Sequence, residues 1–334
     1  MEPDIANNGR RPGISVVVAT RNRAQLLERL LDALEVQEIA EPFEVIVVDD
    51  ASTDHTRSFL AERAMSTSAF TLVAMHQARN TGPATARNIG WRAATAPLIC
   101  FTDDDCIPQK GWLAAHHASI GAGADLVQGR TMPVPDQKHR STPFSRSIQR
   151  ERDGGFYETC NMSYRREVLE AVGGFDEEFT FPFGEDTDLA WRAIDRGYGV
   201  MFNSLAEVFH EVWPFSWSSH VADVRRWEAL VLLVHKHPKL RELFPMPWCV
   251  HRRHSASLGA LGAGLALLAK PRSSVRWAVA AGSAANYYYV CRAMRWPPRK
   301  RKYWPGYLAA MMTSDLAEVG VMARASARYK TFLL

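Results

Sequence analysis

Between residues 14 and 101 the chain alternates short apolar runs with stretches of helical spacing. The β-branched run Ile14-Ser15-Val16-Val17-Val18 comes first, and Leu26, Leu27, Leu30, Leu31 and Leu34 then recur at the period of a helix. Further apolar runs lie at 43–48, 70–75 and 96–101. Between them Ser52, Thr53 and Asp54 are residue types that open helices, and Pro83 suits the first position of another that ends near Ala94. Strands alternating with helices in this way fold as βαβ units, whose crossovers generate parallel sheet. The expected class is α/β, a mostly parallel sheet flanked by helices.

In such sheets ligands bind at the carboxyl ends of the strands. Four polar clusters fall there: Thr20-Arg21-Asn22-Arg23, Asp49-Asp50, Arg79-Asn80-Thr81-Gly82, and Asp103-Asp104-Asp105. Three consecutive carboxylates repel one another, so a cation belongs near them. On an extended chain Asp103 and Asp105 share a face while Asp104 points away. Two hard oxygen ligands there suit Mg²⁺ or Mn²⁺, shared with a bound phosphate.

Beyond residue 110 a helix is expected over 112–120 and a strand over 125–132, with a polar, basic loop over 133–153. A dense segment follows: Cys160-Asn161-Met162, Gly173-Gly174-Phe175-Asp176, and Gly184-Glu185-Asp186-Thr187-Asp188 leading to Arg192. The last opens a helix, where first-turn acids are favoured by the dipole. Asp188 and Arg192, four apart, suit an ion pair on one helix face.

In this order and spacing the quoted residues resemble the family 2 glycosyltransferases, over about 14–212. The resemblance implies a GT-A fold and a nucleotide-diphospho-sugar transferase (EC 2.4). It also implies roles by position. Thr20, Arg21 and Asp50 hold the base and ribose, with Gly82 in the donor loop; Arg21 stands where the family often has an aromatic. Arg87 approaches the pyrophosphate. Asp103 touches the ribose, the metal or both, and Asp104 and Asp105 compete for metal ligation. Glu185 and Asp186 supply the catalytic base, with Asp186 preferred. His210 sits where some relatives place a further metal ligand. The implied cofactor is Mn²⁺ or Mg²⁺, the donor a UDP-sugar, the acceptor a lipid-linked or cell-envelope glycan, and the chemistry an inverting displacement.

Charge divides the chain. Residues 1–228 hold 23 basic and 33 acidic side chains, whereas 229–314 hold fourteen Lys/Arg and one acid, Glu242. The expected organisation is a disordered tail over 1–12, a catalytic domain over 13–212, and a helical, basic region over 213–334. That region suits an anionic membrane surface or a homo-oligomer contact. Its small-residue runs at 255–269 and 277–291 are shorter than the ~20 residues needed to span a bilayer. A basic, aromatic run, Arg292 to Trp304, follows them. Five widely spaced cysteines without CxxC, and a polar N-terminus, fit a reducing cytoplasm, and the basic region then suits the inner face of the plasma membrane. Two other classes are possible in principle. A nucleotidyltransferase would carry a glycine-rich loop after the first strand, and 20–23 has no glycine. A nucleic-acid-binding protein would use the basic tail, but no binding motif is present and the acidic rim goes unexplained.

Overall fold

The computed structural model describes residues 11–67, 69–142, 144–179, 182–294 and 301–334. Most of the expected tail, and 295–300 of the basic, aromatic run, lie outside them. The chain divides into two compact units, one formed by 1–137 and 147–211, the other by 138–146 and 212–334. The second unit thus takes a short piece of the 133–153 loop.

The first unit begins with β1 (Ile14–Thr20), α1 (Ala24–Glu35), β2 (Phe43–Asp49), α2 (Thr56–Ser66), β3 (Thr71–His76), α3 (Pro83–Ala93) and β4 (Leu98–Thr102). It continues with β5 (Cys106–Pro108), α4 (Trp112–Gly121), β6 (Leu126–Pro133), β7 (Asn161–Arg165), α5 (Arg166–Val172), α6 (Glu185–Ile194) and β8 (Val200–His210). The eight strands form one sheet in the order β3-β2-β1-β4-β7-β6-β8-β5. β1 to β4 pair in parallel, as the alternation requires. The far half is mixed. β7 runs antiparallel to β4 and β6, and β5 antiparallel to β8, while β6 and β8 are parallel. The antiparallel pairs join strands distant in the chain, β4 with β7 and β5 with β8, or strands linked by the long 134–160 connection, β6 with β7.

Strand alternation sends successive side chains to opposite faces. Val16, Val18, Val45 and Val47 join Leu27, Leu30, Leu31, Leu60 and Trp112 in one layer. Val17, Ile46, Ile99 and Phe101 join Ala86, Trp91, Tyr164, Leu169 and Leu189 in the other. The sheet is therefore buried on both faces, and its carboxyl edge is where polar side chains emerge.

The second unit is helical: α7 (Trp217–Ala222), α8 (Trp227–Lys236), α9 (Arg252–Ala269), α10 (Ser274–Arg292) and α11 (Trp304–Arg328). Its interior includes Asp315 and Glu318 of α11, both fully buried. Arg253 pairs with both, at 3.0 Å from Asp315, and the His254 Nε2 lies 2.8 Å from Glu318. Among the described residues no helix is long and apolar enough to cross a membrane.

Candidate active site

The site grows from the ends of β1, β2 and β4. The chain leaves β4 at Thr102 and turns at once, with the Cys106 N–H donating to the Asp103 carbonyl at 3.1 Å. That turn breaks the extended geometry, so Asp104 does not point away from Asp105 as an extended chain would have it. Instead Asp104 and Asp105 face Arg23, at 2.8 and 3.4 Å, and Thr20 donates to Asp104 at 2.8 Å. Asp103 faces Arg87 at 2.7 Å. The cation demanded by the triplet is thus two cations, one arriving on the loop after β1 and one on α3.

Arg87 is buried and bridges two acids, Asp103 and Glu185, the latter at 2.9 Å. Burial opposes its charge, but the two carboxylates hold the guanidinium above its ordinary range. Burial also works to raise the Asp103 carboxyl, yet Arg87 holds it below the usual range. Asp104 is pushed up to about 6, first by burial and then by Asp105, against the pull of Arg23.

Gly184 precedes α6 with φ 95°, a left-handed turn that glycine accepts without penalty. This turn delivers Glu185 and Asp186 as neighbours that diverge. Glu185 is buried and held by Arg87, and its Oε2 has no hydrogen-bond partner. Asp186 is half-buried. Its carboxylate accepts from the Thr187 N–H at 2.7 Å and, weakly, from the Thr159 N–H at 3.4 Å. Burial, then repulsion from Glu185 and Glu158, lifts the Asp186 carboxyl well above the usual range. Asp188 and Arg192 form the expected i,i+4 pair at 2.7 Å, and Arg192 also donates to the Val172 and Gly174 carbonyls.

On the other side of the triplet, β8 ends at His210 beside β5. The His210 Nε2 lies 3.7 Å from the Asp105 Oδ1. Its Nδ1 lies 2.8 Å from the Glu211 carbonyl, which can only accept, so Nδ1 donates there and Nε2 is the ring nitrogen that faces Asp105. Asp105, Cys106 and His210 bring one ligand atom each within 4.8 Å of one another. A carboxylate oxygen and an imidazole nitrogen fit Mn²⁺ better than Mg²⁺, which prefers oxygen ligands throughout. The Cys106 thiol, pushed well up by burial, is a poor ligand for either.

The remaining expected residues divide. Thr20 is in the cluster through Asp104. Arg21 is exposed at the rim. Asp50 accepts from the Thr81 and Gly82 N–H groups at 2.7 and 2.8 Å and from Gln77 at 3.0 Å, so both its oxygens tie down the entrance to α3. Gly82 caps α3 at φ 89°. Sequence reasoning gave no role to Arg23, although the like-charge triplet implied such a partner. It also missed Glu158, whose charge bears on Asp186 and which is clasped by Arg150 at 2.8 Å.

Similarity to known proteins agrees with this architecture. The model of "Glycosyl transferase family 2" matches residues 15–174, and that of "Glycosyl transferase family group 2" matches 113–312. The pre-mycofactocin glycosyltransferase of Mycobacterium tuberculosis is 29% identical over 235 residues, covering 65% of this chain and 44% of the relative. The validoxylamine A glucosyltransferase of Streptomyces hygroscopicus is 31% identical over 287 residues, covering 72% of this chain and 64% of the relative. The chain therefore spans less than two thirds of either. A mannosyltransferase of Pyrobaculum calidifontis, solved with GDP-Man and Mn²⁺, superposes with a TM-score of 0.59 at 21% identity, over 93% of this chain and 88% of that one. TarS of S. aureus, solved with UDP-GlcNAc, gives 0.53 at 16% identity, over 95% and 92%. At those identities the two structures speak for the fold, which is the GT-A arrangement that the family resemblance implied. Since the second family model spans more than half of its length, this chain belongs to the family 2 glycosyltransferases.

Proposed function

We propose that the protein transfers a sugar from a UDP-sugar to an acceptor hydroxyl, with inversion at the anomeric carbon and assistance from a divalent cation. The observation that carries this reading is the convergence on one rim of the aspartate triplet, two arginines, His210 and the Glu185–Asp186 pair. The names of the relatives support the reaction class, and the nucleotide sugars and Mn²⁺ in the two solved relatives support the donor class and the metal.

Each residue has a task in that reaction. The loop after β1, with Thr20 and Arg21, forms one wall of the nucleotide site, while Asp50 shapes the facing loop through Thr81 and Gly82. Asp105 and His210 are the residues that would hold Mn²⁺ or Mg²⁺, which when bound neutralises charge developing on the departing diphosphate. Arg87 keeps Asp103 ionised and positions Glu185. Asp186 is the general base. It is half-exposed, it is not neutralised by an arginine, and its raised proton affinity suits it to take a proton from a hydroxyl. Glu185 spends its charge on Arg87 and orients what lies beside it.

Binding of a labelled UDP-sugar, with and without Mn²⁺, tests the donor and the metal together. Saturable binding that strengthens with Mn²⁺ is expected. A protein that ignores the donor at millimolar Mn²⁺ while retaining its fold would refute the reading. A nucleotidyltransferase would instead release pyrophosphate from a nucleoside triphosphate, which is not expected here.

A further inference from the structure

The second unit contains a stretch with no core of its own. α9 and α10 pack against each other as a hairpin. At the base of the hairpin Ala256, Tyr287 and Cys291 are buried with Tyr307 and Met311 of α11. Ala263 is the last buried residue on the outgoing helix, and from 264 to 286 no residue is buried. Leu261, Leu265 and Leu268 follow i, i+4, i+7 spacing along one face of α9, and their exposure climbs from 42% to 58% to 79% toward the tip. On α10 Val275, Trp277 and Val279 are all more than half exposed. The Trp277 indole donates to the Pro271 carbonyl at 2.9 Å, which fixes the ring at the turn. Clustered exposure of this kind marks an interaction surface, unlike apolar residues scattered singly.

Charge selects the partner. No acidic residue occurs between Glu242 and Asp315, and the tip itself carries Lys270, Arg272 and Arg276. Apolar side chains, an interfacial tryptophan and cations together match the boundary between headgroups and acyl chains of an anionic bilayer. A second copy meeting this tip about a two-fold axis would oppose cation to cation. Because no described helix can span a bilayer, the surface suits shallow insertion rather than crossing.

We propose that the tip of the α9–α10 hairpin docks the protein on anionic membranes, burying Leu265, Leu268, Val275, Trp277 and Val279 in the interface. The proposal stands apart from the sugar-transfer reading, and its test needs no turnover.

The full chain is floated with vesicles of phosphatidylcholine alone, or of phosphatidylcholine with phosphatidylglycerol, at low and high salt. Binding to the anionic vesicles that weakens with salt is expected. Neutralising Lys270, Arg272 and Arg276 together to Gln should weaken that binding on the order of a hundredfold, at ~1 kcal/mol per cation near the surface. Leu265→Gln with Leu268→Gln should weaken it on both kinds of vesicle. The leucine variant should not shift the thermal melt, because neither side chain is buried, and Lys270→Gln with Arg272→Gln is the charge control that spares the 2.6 Å hydrogen bond from Arg276 to the Ala266 carbonyl. The proposal is overturned if the intact chain ignores anionic vesicles at low salt, or if both variants bind as tightly as the parent. It is also overturned if the leucine variant turns a lipid-free oligomer into a monomer and the parent binds no vesicles, which would make a second copy the occupant.

Discussion

The roles of Glu185 and Asp186 separate in a pair of isosteric variants. In Glu185→Gln, Arg87 keeps Asp103 but loses a charged hydrogen bond of 2.9 Å between two side chains that are 8% and 5% exposed. A buried charge-assisted bond is worth roughly 1.5–3 kcal/mol. Burial raises the Glu185 carboxyl against the pull of Arg87, so removing its charge offsets part of that loss; at about 2–4 °C per kcal/mol in a domain of this size, a fall of up to about 12 °C is expected. Asp186→Asn has the opposite signature. The folded state raises the Asp186 proton affinity, so its ionised form costs stability. That cost sets in as pH rises through the unfolded pKa and is complete above the folded one. Asparagine removes it, and the melt at neutral pH should hold or rise. Turnover should fall by ~10²–10⁴, the usual contribution of a general base. The assays are differential scanning fluorimetry and release of UDP from a UDP-sugar, on the same preparations. If Glu185→Gln keeps its melting temperature and loses turnover while Asp186→Asn stays active, the assignment is reversed. If both turn over normally, neither residue is the base.

Four further outcomes follow from the same geometry. The acid limb of the pH–rate profile should lie above the ordinary carboxylate range, because the Asp186 carboxyl is raised and activity is lost as pH falls through it; a limb near pH 4 would contradict the base assignment. Asp105→Asn should abolish Mn²⁺-dependent strengthening of donor binding, and EDTA should do the same to the parent; full turnover in EDTA would remove the metal from the mechanism. In donor-free protein Arg23→Gln should bind Mn²⁺ several-fold tighter by calorimetry, because the guanidinium no longer competes for Asp104 and Asp105; weaker binding would show that Arg23 supports the site instead. Asn161→Ala should cost at least about 3 kcal/mol in urea unfolding, since it strands the Trp112 indole, His116 and the carbonyls of Arg130 and Ala206, whereas a loss under about 1 kcal/mol would mean that water replaces the amide.

Asn161 shows why a motif can be legible while its meaning is not. Its position within the resemblance was plain from the sequence, but its four partners lie on α4, on β6 and on β8, as many as 49 residues away. They give it a structural task that no local pattern encodes. Asn88 behaves similarly, donating to the Phe175 carbonyl and accepting from the Trp91 indole.

The sequence by itself determined the parallel half of the sheet, the rim on which the polar clusters emerge, the Asp188–Arg192 pair and the basic character of the C-terminal region. Each follows from local spacing: a strand's period of two, a helix's period of 3.6, and the fact that parallel strands connected by helices deliver their ends to one edge. Tertiary structure alone decided which charge meets which. Arg23 reaches Asp104 across 81 residues and Arg87 reaches Glu185 across 98. The turn after Thr102 redirects the triplet, the pairing of β5 with β8 sets His210 beside Asp105, and the hairpin tip is left without a core. Those outcomes depend on strand order and on one change of backbone direction. Electrostatic pairing acts over a few ångströms of space, and spacing along the chain carries no information about that distance until the sheet has formed.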